Sequence, residues 1–374
     1  MKILILTNYA NGLYLFRKEL LAAFLEDEHE VFVSLPPDEN VSKLKNLSVK
    51  GKNINIIETP FERRGNNPVK DFGLFMTYRK LLGRLKPDVV LTYTIKPNLY
   101  GGLACRLKKI SYICNITGLG TAIENKGLLS NILLAFYKIS MKKAQKVFFQ
   151  NDKNRDFMNC HGVAVNNYAM LPGSGVNLKE HPFEEYPSED ESIRFLAVIR
   201  VMKDKGIEEY LEAAKIIKDK YKNTEFWLVG EYEEETRNVY QPLINELQDK
   251  NIIKYLGHID NVNEVMAESH VIVHPSYHEG LSNVLLEAAA CGRPVLASNI
   301  NGCIETFIED KSGYAFKIKS TSALVEAVEK ILKLSYEQRR LMGISGRVWV
   351  EKSFDRELVI KAYREELKKR RSKK

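Results

Sequence analysis

Two glutamates in the second half of the chain stand at a point where an apolar stretch gives way to a glycine-containing turn. Glu279 precedes the helix that the sequence predicts over residues 283–290, and Glu287 lies within it. At ~1.5 Å per helical residue, the two carboxylates would be roughly 10 Å apart. The helix N-terminus between them, with free N–H groups and a positive dipole end, can bind phosphate. The spacing therefore favours a ligand with hydroxyls at both ends and a diphosphate between them, as in a nucleotide sugar.

Two cations form a second constellation at the start of the same half. Arg200 and Lys205 follow the apolar segment IRFLAVI in a predicted strand-to-helix turn, and Gly206 comes next. Such a turn suits phosphate, and two cations can neutralise a diphosphate leaving group as negative charge develops on it. Solvated surface charges are the alternative interpretation of both constellations. Their position at the carboxyl ends of predicted strands favours the functional one.

The elements that must position these residues repeat in two halves. Apolar runs such as ILILTN, EVFVSLP and DVVLTYT alternate with helical spacing over residues 1–173, and a second alternating set occupies residues 191–355. Continuous apolar strands between helices predict a parallel sheet covered on both faces. We therefore expect an α/β protein with two Rossmann-like, doubly wound domains, joined by a linker over residues 174–190 that is rich in Gly, Pro and acidic residues. The natural binding site would be the cleft between the domains.

Composition excludes several other classes of protein. With 374 residues, of which 44% are hydrophobic and 28% charged, the chain can form two globular domains and is unlike a disordered or fibrous protein. We see no signal peptide in MKILILTNYA, and no apolar run approaches the ~18 to 20 residues that cross a bilayer. The five cysteines are scattered and odd in number, which fits a reducing compartment. We expect a cytoplasmic protein.

Charge is distributed unevenly along the chain. Residues 1–173 contain 25 Lys and Arg against 14 Asp and Glu, residues 174–355 contain 22 against 31, and residues 356–374 contain 9 against 3. The first half and the tail are therefore basic and should approach phosphates, lipid headgroups or nucleic acid. Nucleic-acid binding through aromatics such as Tyr93 and Tyr100 is the least favoured of these, because it gives the two glutamates no role.

These residues resemble a known family. The spacing of Glu279 and Glu287, that of Arg200 and Lys205, and the phrase PSYHEGLSNVLLEAAACGRPVLAS are similar to the family 4 glycosyltransferases, which have the GT-B fold. In the first half, NYANGLYLFRKEL, TIKPNLYGG, ITGLGTA and LPGSGVNL are similar to the subgroup that extends polyprenyl-diphosphate-linked sugars in bacterial glycan assembly.

The resemblance implies a retaining transfer of a hexose or N-acetylhexosamine from a UDP-sugar donor to a polyprenyl-diphosphate-linked saccharide. Arg200 and Lys205 would bind the donor diphosphate, Glu279 the hydroxyls of the donor sugar, and Glu287 the ribose. Backbone groups at the donor sugar and diphosphate would come from Gly280, Leu281 and Ser282 and, in the first strand-to-helix loop of the other domain, from Gly12. The acceptor side would include Asn8, Arg17, Lys96 and Asn98. The last helix, over residues 356–374, would cross back to the first domain.

One departure from the family's pattern affects the chemistry. Related sequences often have a histidine before the lysine of TIKPN, whereas this chain has Ile95, so we assign no catalytic base in the first domain. We expect no metal cofactor, because no Asp-x-Asp occurs and the two cations can take the metal's role. His270, His274 and His278 are spaced by four, but Pro275 and the strand-like VIVHPS argue against a metal site. The alternative enzyme is a UDP-sugar 2-epimerase of similar architecture, which needs no basic domain that faces a membrane.

The segment over residues 127–146, GLLSNILLAFYKISMKKAQK, is apolar first and basic later. It is either a core helix with a charged end or an interfacial helix on an anionic membrane. The basic tail KKRRSKK favours the second, because each Lys or Arg near an anionic leaflet contributes roughly 1 kcal/mol. We therefore expect peripheral attachment to the inner face of the cell membrane, through Leu129, Leu133, Phe136 and the tail from Lys368.

Overall fold

The structure, a computed structural model, divides the chain into two compact units and describes residues 1–62, 65, 67–119, 123 and 127–371. The first unit comprises Met1–Ser174 together with the segment that begins at Glu357, and the second comprises Gly175–Arg356. Each division lies one residue from the boundary expected from the sequence. The last three residues of the basic tail, and part of the motif ITGLGTA, lie outside the described residues.

The first unit is built on a seven-stranded parallel sheet. Its strands are β1 (Lys2–Leu6), β2 (Glu30–Leu35), β5 (Asn55–Glu58), β6 (Val89–Tyr93), β7 (Ser111–Ile116), β8 (Lys146–Phe149) and β9 (Tyr168–Met170). They run side by side in the order β5-β2-β1-β6-β7-β8-β9. A short antiparallel hairpin of β3 (Ser48–Val49) and β4 (Lys52–Asn53) precedes β5.

Helices cover both faces of this sheet. They are α1 (Ala10–Glu26), α2 (Val41–Lys45), α3 (Pro68–Leu85), α4 (Gly102–Lys108), α5 (Leu128–Met141), α6 (Asp152–Cys160) and the C-terminal helix (Arg356–Arg371). The alternation along β1 shows how the two faces are filled. Ile3 and Ile5 join one buried cluster with α1 and the C-terminal helix, whereas Leu4 and Leu6 join another with α3 and α5.

The C-terminal helix is tied to the first unit by apolar and polar contacts. Tyr363 is fully buried, and its hydroxyl lies 2.8 Å from that of Tyr93 and also bonds to Oδ1 of Asn115. At the surface, Arg364 binds both carboxylate oxygens of Asp27, at 2.7 and 3.0 Å. The end of the chain therefore completes the core of the unit in which the chain begins.

The second unit repeats the architecture with a six-stranded parallel sheet. Its strands are β10 (Ile193–Val198), β11 (Thr224–Val229), β12 (Lys254–Tyr255), β13 (Val271–His274), β14 (Val295–Ser298) and β15 (Gly313–Phe316), in the order β12-β11-β10-β13-β14-β15. Its helices are α7 (Ile207–Lys220), α8 (Arg237–Asp249), α9 (Asn263–Glu268), α10 (Asn283–Ala290), α11 (Thr321–Lys333) and α12 (Tyr336–Ser353). The predicted α/β fold with two doubly wound parallel sheets is confirmed.

The segment expected to be a linker is packed onto the second unit instead. Near its start, Val176 exchanges backbone hydrogen bonds with Phe354 and Arg356, at 2.8 and 3.0 Å. Near its end, the fully buried guanidinium of Arg293 donates to the carbonyls of Glu184 and Glu185, at 2.9 and 2.7 Å. These bonds pair backbone groups that have no partner in a helix or a strand. The segment therefore has the composition of a linker but is packed against the second unit.

Helix α5 has apolar side chains on its buried and on its exposed side. Leu134, Tyr137 and Met141 are buried in the core, while Leu129, Ile132 and Ile139 are exposed. Leu133 and Phe136, which were also expected at the membrane, are half-buried and pack partly against the core, so their contact with a membrane stays a prediction. Among the described helices, none is long and apolar enough to span a membrane.

Candidate functional site

The loops that follow β10 and β13 bring a lysine and a glutamate together. β10 pairs directly with β13, so the segments after their carboxyl ends are neighbours at one edge of the sheet. Lys205 ends a short 3-10 turn after β10, and Glu279 stands between β13 and α10. Nζ of Lys205 donates to Oε1 of Glu279 at 2.6 Å, and both side chains are largely buried. Two residues that the sequence assigned to the donor are therefore in direct contact.

Three contacts between the same two loops fix the position of this pair. Gly206, with φ of 71°, is so close to Pro275 that a Cβ on it would lie 2.1 Å from the Pro275 carbonyl oxygen. The N–H of Tyr277 donates to the carbonyl of Asp204 at 2.9 Å. The Tyr277 hydroxyl lies 2.7 and 2.8 Å from the carboxylate oxygens of Glu209. Sequence reasoning missed Tyr277 and Glu209, because no local pattern reveals a contact between positions 68 residues apart.

Glu279 is a buried carboxylate with two hydrogen-bond donors. Besides Lys205, it contacts His274, whose Nε2 lies 2.9 Å from Oε1 of Glu279 and 3.2 Å from Oγ of Ser282. Burial alone would raise the pKa of Glu279, but the hydrogen bonds and charges of His274 and Lys205 outweigh it and hold the pKa at about 2. The carboxylate is therefore ionised at physiological pH. His274, which the sequence analysis considered only as a metal ligand, belongs to this site.

Ser282 begins α10 as its N-cap. Its Oγ accepts from a backbone N–H of the first turn at 3.4 Å, and its own N–H donates to the carbonyl of Gly302 at 2.7 Å. A Cβ on Gly302 would lie 2.8 Å from the carbonyl oxygens of Glu279 and Gly280, so the loop after β14 supports this turn closely. The side chain of Leu281 is buried in an apolar cluster. The Ser282 N–H and one N–H of the first turn are therefore bonded within the protein. The other N–H groups of the first turn of α10 are those that can bind a phosphate.

Arg200 lies after β10 but has a different partner from Lys205. Its guanidinium donates to Oε2 of Glu233, in the segment after β11, at 2.8 Å, and its side chain is 56% exposed. The structure therefore pairs Arg200 with Glu233 and not with Glu279. A diphosphate that binds both cations would replace the carboxylate partner of each.

Glu287 has surroundings of its own in the second turn of α10. It is half-buried, and burial raises the pKa of its carboxyl, while the charges of His181 and Arg356 lower it and that of Glu180 raises it. As predicted, Glu279 precedes the helix and Glu287 lies within it. The two glutamates of the motif nevertheless differ in environment, since the pKa of Glu279 is lowered and that of Glu287 is raised.

In the first unit, the glycine expected in a loop lies in a helix. Gly12 is in the first turn of α1, because the helix begins at Ala10, earlier than the apolar spacing suggested. A Cβ at Gly12 would lie 2.7 Å from Cδ1 of Tyr9, so glycine is required here to let the Tyr9 ring pack against the turn. Asn8 is half-buried between β1 and α1.

The other residues assigned to the acceptor side are bonded within the first unit. Arg17 is 4% exposed, lies 5.6 Å from the centre of the Tyr93 ring and donates to a backbone carbonyl at 2.7 Å. Lys96 forms an ion pair of 2.7 Å with Asp71. Asn98 is buried, where its Oδ1 accepts from the hydroxyl of Thr92 at 2.6 Å. Their role toward an acceptor stays a prediction.

The backbone is strained just before Lys96 and the helical turn Pro97–Gly101, which contains Asn98. Thr94, directly after β6, has φ of 70°, which is a costly conformation for a β-branched residue. Its Oγ1 is buried and has no hydrogen-bond partner in the described part of the chain. Strain of this kind concentrates at ligand-binding loops, so Thr94 adds a structural signal to the motif TIKPN that the sequence could not supply.

The histidines spaced by four have separate environments. Within the described residues, no three His, Cys, Asp or Glu side chains are arranged to hold a metal ion. His270 is buried, and its Nδ1 accepts from the backbone N–H of Arg194 at 3.2 Å, whereas His274 contacts Glu279. The strand conformation at β13 separates side chains that a helix would have aligned.

Comparison with known proteins finds glycosyltransferases over most of the chain. The family described as "Glycosyl transferases group 1" matches residues 179–349, and that described as "Glycosyl transferase 4-like" matches residues 2–151. The N,N'-diacetylbacillosaminyl-diphospho-undecaprenol alpha-1,3-N-acetylgalactosaminyltransferase of Campylobacter jejuni is 29% identical over 350 residues, which are 89% of this chain and 90% of that protein. The capsular polysaccharide biosynthesis glycosyltransferase CapM of Staphylococcus aureus is 25% identical over 308 residues, or 78% and 80% of the two chains.

The fold is also found among solved structures. The crystal structure of HepE of Anabaena in complex with UDP has a TM-score of 0.81 and covers 99% of this chain and 100% of its own. The two sequences are 15% identical, so the likeness is one of fold.

The contact between Gly206 and Pro275 gives a prediction about stability. We expect Gly206→Ala to lower the free energy of unfolding by roughly 2 kcal/mol or more, because the added Cβ meets backbone that cannot yield easily. Gly257→Ala is the matched control, since Gly257 has nearly the same φ, 69°, but nothing within 4 Å of its added Cβ. Urea unfolding of both variants measures the difference. Equal losses would show that the contact does not constrain the two loops.

Proposed function

We propose that the chain, which matches glycosyltransferase families over residues 2–151 and 179–349 and has the GT-B fold, transfers a hexose or N-acetylhexosamine from a UDP-sugar to a polyprenyl-diphosphate-linked saccharide, with retention of configuration. The observation that carries the proposal is the buried ion pair of Lys205 and Glu279 at the carboxyl ends of β10 and β13. A cation and an ionised carboxylate beside the start of a helix suit a ligand that has both phosphates and hydroxyls.

Two of the similar proteins support the choice of substrates. The Campylobacter jejuni relative is named for an acceptor that is a diphospho-undecaprenol, and the HepE structure contains UDP. A diphosphate donor also gives both cations a role. An acceptor with its own diphosphate likewise gives a role to the basic first half of the chain. Over residues 1–173, Lys and Arg outnumber Asp and Glu by 25 to 14.

In the proposed reaction, the second unit stabilises the leaving group. As the bond between sugar and UDP breaks, negative charge grows on the diphosphate, and Lys205 and Arg200 neutralise it together with the N–H groups at the start of α10. Glu279, held ionised by its neighbours, accepts hydrogen bonds from hydroxyls of the donor sugar. Glu287 binds the ribose. We propose no protein nucleophile and no metal cofactor.

The acceptor is proposed to meet the segment directly after β6. Lys96 is the cation there, and Thr94 has a strained backbone and a hydroxyl without a hydrogen-bond partner among the described residues. Arg17 and Asn98 are buried, so they act by holding this segment and its surroundings, and Asn8 contributes from the loop after β1. Gly12 acts through the packing of Tyr9 at the start of α1.

A UDP-sugar 2-epimerase is the less favoured activity, because glycosyltransferase families match both halves of the chain. The two activities also differ in a simple assay. An epimerase converts a UDP-sugar in the absence of any acceptor, whereas a transferase at most hydrolyses it slowly.

A membrane surface is the third proposed partner, and exposed apolar side chains on two helices of the first unit support it. Val69 and Phe72 of α3 are 81% and 63% exposed, and Ile132 of α5 is 56% exposed. Tyr100 links the two helices, since its hydroxyl lies 3.0 Å from Asp71 of α3 and its ring packs at 5.3 Å against Phe136 of α5. We name the exposed residues Val69, Phe72, Leu129, Ile132 and Ile139 the apolar surface.

Basic residues accompany the apolar surface. Lys138 on α5, and Lys142 and Lys143 directly after it, are exposed. Apolar insertion together with Lys near anionic headgroups gives attachment without a membrane-spanning segment. The position also suits an acceptor that is itself anchored in the bilayer.

Loss of the diphosphate clamp should reduce transfer strongly. We expect Lys205→Ala and Arg200→Ala each to lower kcat/KM by ~10² to 10³, which is the effect of removing one donor that stabilises developing charge. Lys203→Ala is the matched control, because Lys203 lies in the same turn but its side chain is 65% exposed and paired with Glu208. Transfer from radiolabelled UDP-sugars to a polyprenyl-diphosphate-linked saccharide measures the rates. Near-normal turnover in both clamp variants would contradict the assignment.

Metal independence is a separate expectation. Transfer should proceed at an unchanged rate in excess EDTA, since the two cations neutralise the diphosphate. The assay is run with and without EDTA, and then with added Mg²⁺ or Mn²⁺. Activity that disappears in EDTA and returns with either ion would show that the proposed clamp is insufficient.

Membrane attachment should depend on charge and on the apolar surface together. We expect the protein to sediment with phosphatidylglycerol vesicles but not with neutral ones, and to be released in part by 1 M salt, which shortens the screening length to ~3 Å. Changing Phe72 and Ile132 to serine should weaken binding by about tenfold. The control changes Val239 and Leu341, which are exposed on the second unit. Equal binding by both double variants would remove the apolar surface from the proposal.

A further inference from the structure

In the proposed function, Lys205 contacts two anionic groups, the carboxylate of Glu279 and the diphosphate of the donor. Its Nζ lies 2.6 Å from Oε1 of Glu279 and 3.4 Å from Oγ of Ser276. A bound donor adds a diphosphate, which carries more negative charge than one carboxylate and attracts the ammonium toward itself. The Lys205 ammonium then compensates the negative charge of Glu279 less. The carboxylate must nevertheless stay ionised, because it accepts hydrogen bonds from the sugar. A buried carboxylate in that position needs a second, permanent donor.

His274 is placed to be that donor. It is 3% exposed, it ends β13 in register with Ala297 of β14, and Pro275 follows it, so its backbone is held on both sides. Its Nε2 lies 2.9 Å from the same Oε1 that Lys205 contacts. Unlike Lys205, it has a short side chain on a rigid strand and cannot follow the diphosphate.

The hydrogen bonding defines which ring nitrogen carries the proton. An ionised carboxylate only accepts hydrogen bonds, so Nε2 must be protonated to contact Glu279. Nδ1 is buried and has no hydrogen-bond partner in the described part of the chain. The ring is therefore held through Nε2 alone, by Glu279 and by Ser282 Oγ at 3.2 Å.

We propose that His274 is a positioning residue, which keeps the Glu279 carboxylate charged and directed at the donor sugar once Lys205 turns to the diphosphate. The inference rests on the proposed function. It adds a division of labour within the pair, in which Lys205 follows the phosphates and His274 holds the carboxylate. Ser282 links the histidine to the phosphate side of the site. Its Oγ contacts His274 and also caps the helix whose N-terminus faces the phosphates.

Two substitutions separate positioning from packing. Glutamine at position 274 keeps an N–H at about the reach of Nε2, whereas leucine fills a similar volume without a donor. We expect His274→Leu to weaken binding of a UDP-sugar and to lower kcat by about 10- to 100-fold, with UDP affinity changed less than threefold. His274→Gln should restore most of both. Calorimetric titration with UDP and UDP-sugars, and the transfer assay, measure these quantities.

Several outcomes would overturn the inference. They are equal losses in the leucine and glutamine variants, equal weakening of UDP and UDP-sugar binding, or an unaffected leucine variant. If His274 acts through Glu279, then His274→Leu should add less than a twofold loss in a Glu279→Gln background, and a multiplied loss would contradict the proposal. A wild-type protein that binds neither UDP nor any UDP-sugar would instead refute the proposed function.

A measurement on the wild-type protein tests the proposal even if the variants fail to fold. In the wild type labelled with ¹⁵N-histidine, the Nε2 resonance of His274 should be that of a protonated, hydrogen-bonded nitrogen and should remain so on addition of a UDP-sugar. Loss of the Nε2 proton in the complex would contradict the proposed role.

Discussion

A carboxylate buried in the loop after a parallel strand is stable only if its charge is compensated, and the loops after β10 and β13 are arranged around that requirement. Glu279 lies where burial alone would favour its neutral form, yet Lys205 and His274 hold its pKa at about 2. The lysine comes from the loop after β10 and the histidine from the end of β13. Because these strands are neighbours in the sheet, residues about 70 positions apart in the chain meet at one carboxylate.

The surrounding backbone keeps those partners in place. Gly206 lets the helix α7 begin in contact with Pro275, and Tyr277 bonds to Asp204 and Glu209 across the same junction. On the other side, Gly302 brings the loop after β14 against the turn that contains Glu279. The ion pair is thus held by contacts on both sides, with α10 and its N–H groups directly following. A rigid site of this kind binds a charged ligand without having to order its own groups first.

Much of this arrangement could be predicted from the sequence. The alternation of apolar and helical segments predicts two doubly wound sheets, since parallel strands are apolar throughout. The positions of Glu279 and Lys205 are predictable because loops at the carboxyl ends of neighbouring strands converge. The contact of His274 with Glu279 is not predictable, because it depends on the turn after Pro275, and helical spacing suggests a metal ligand instead. The helical position of Gly12 is not predictable either, because the residues of the first turn of α1 are not apolar at helical spacing. The packing of residues 174–190 depended on Arg293, which is more than 100 positions away.

The proposed contact between Lys205 and the donor diphosphate can be measured through the affinities of UDP and UMP for the wild type and for Lys205→Met, with Glu279→Gln as the comparison. We expect the wild type to prefer UDP, and Lys205→Met to lose about 10- to 100-fold of this preference, the value of a charge-assisted contact to phosphate, while Glu279→Gln keeps it. An unchanged ratio of UDP to UMP affinity in Lys205→Met would show that the second phosphate does not bind at Lys205.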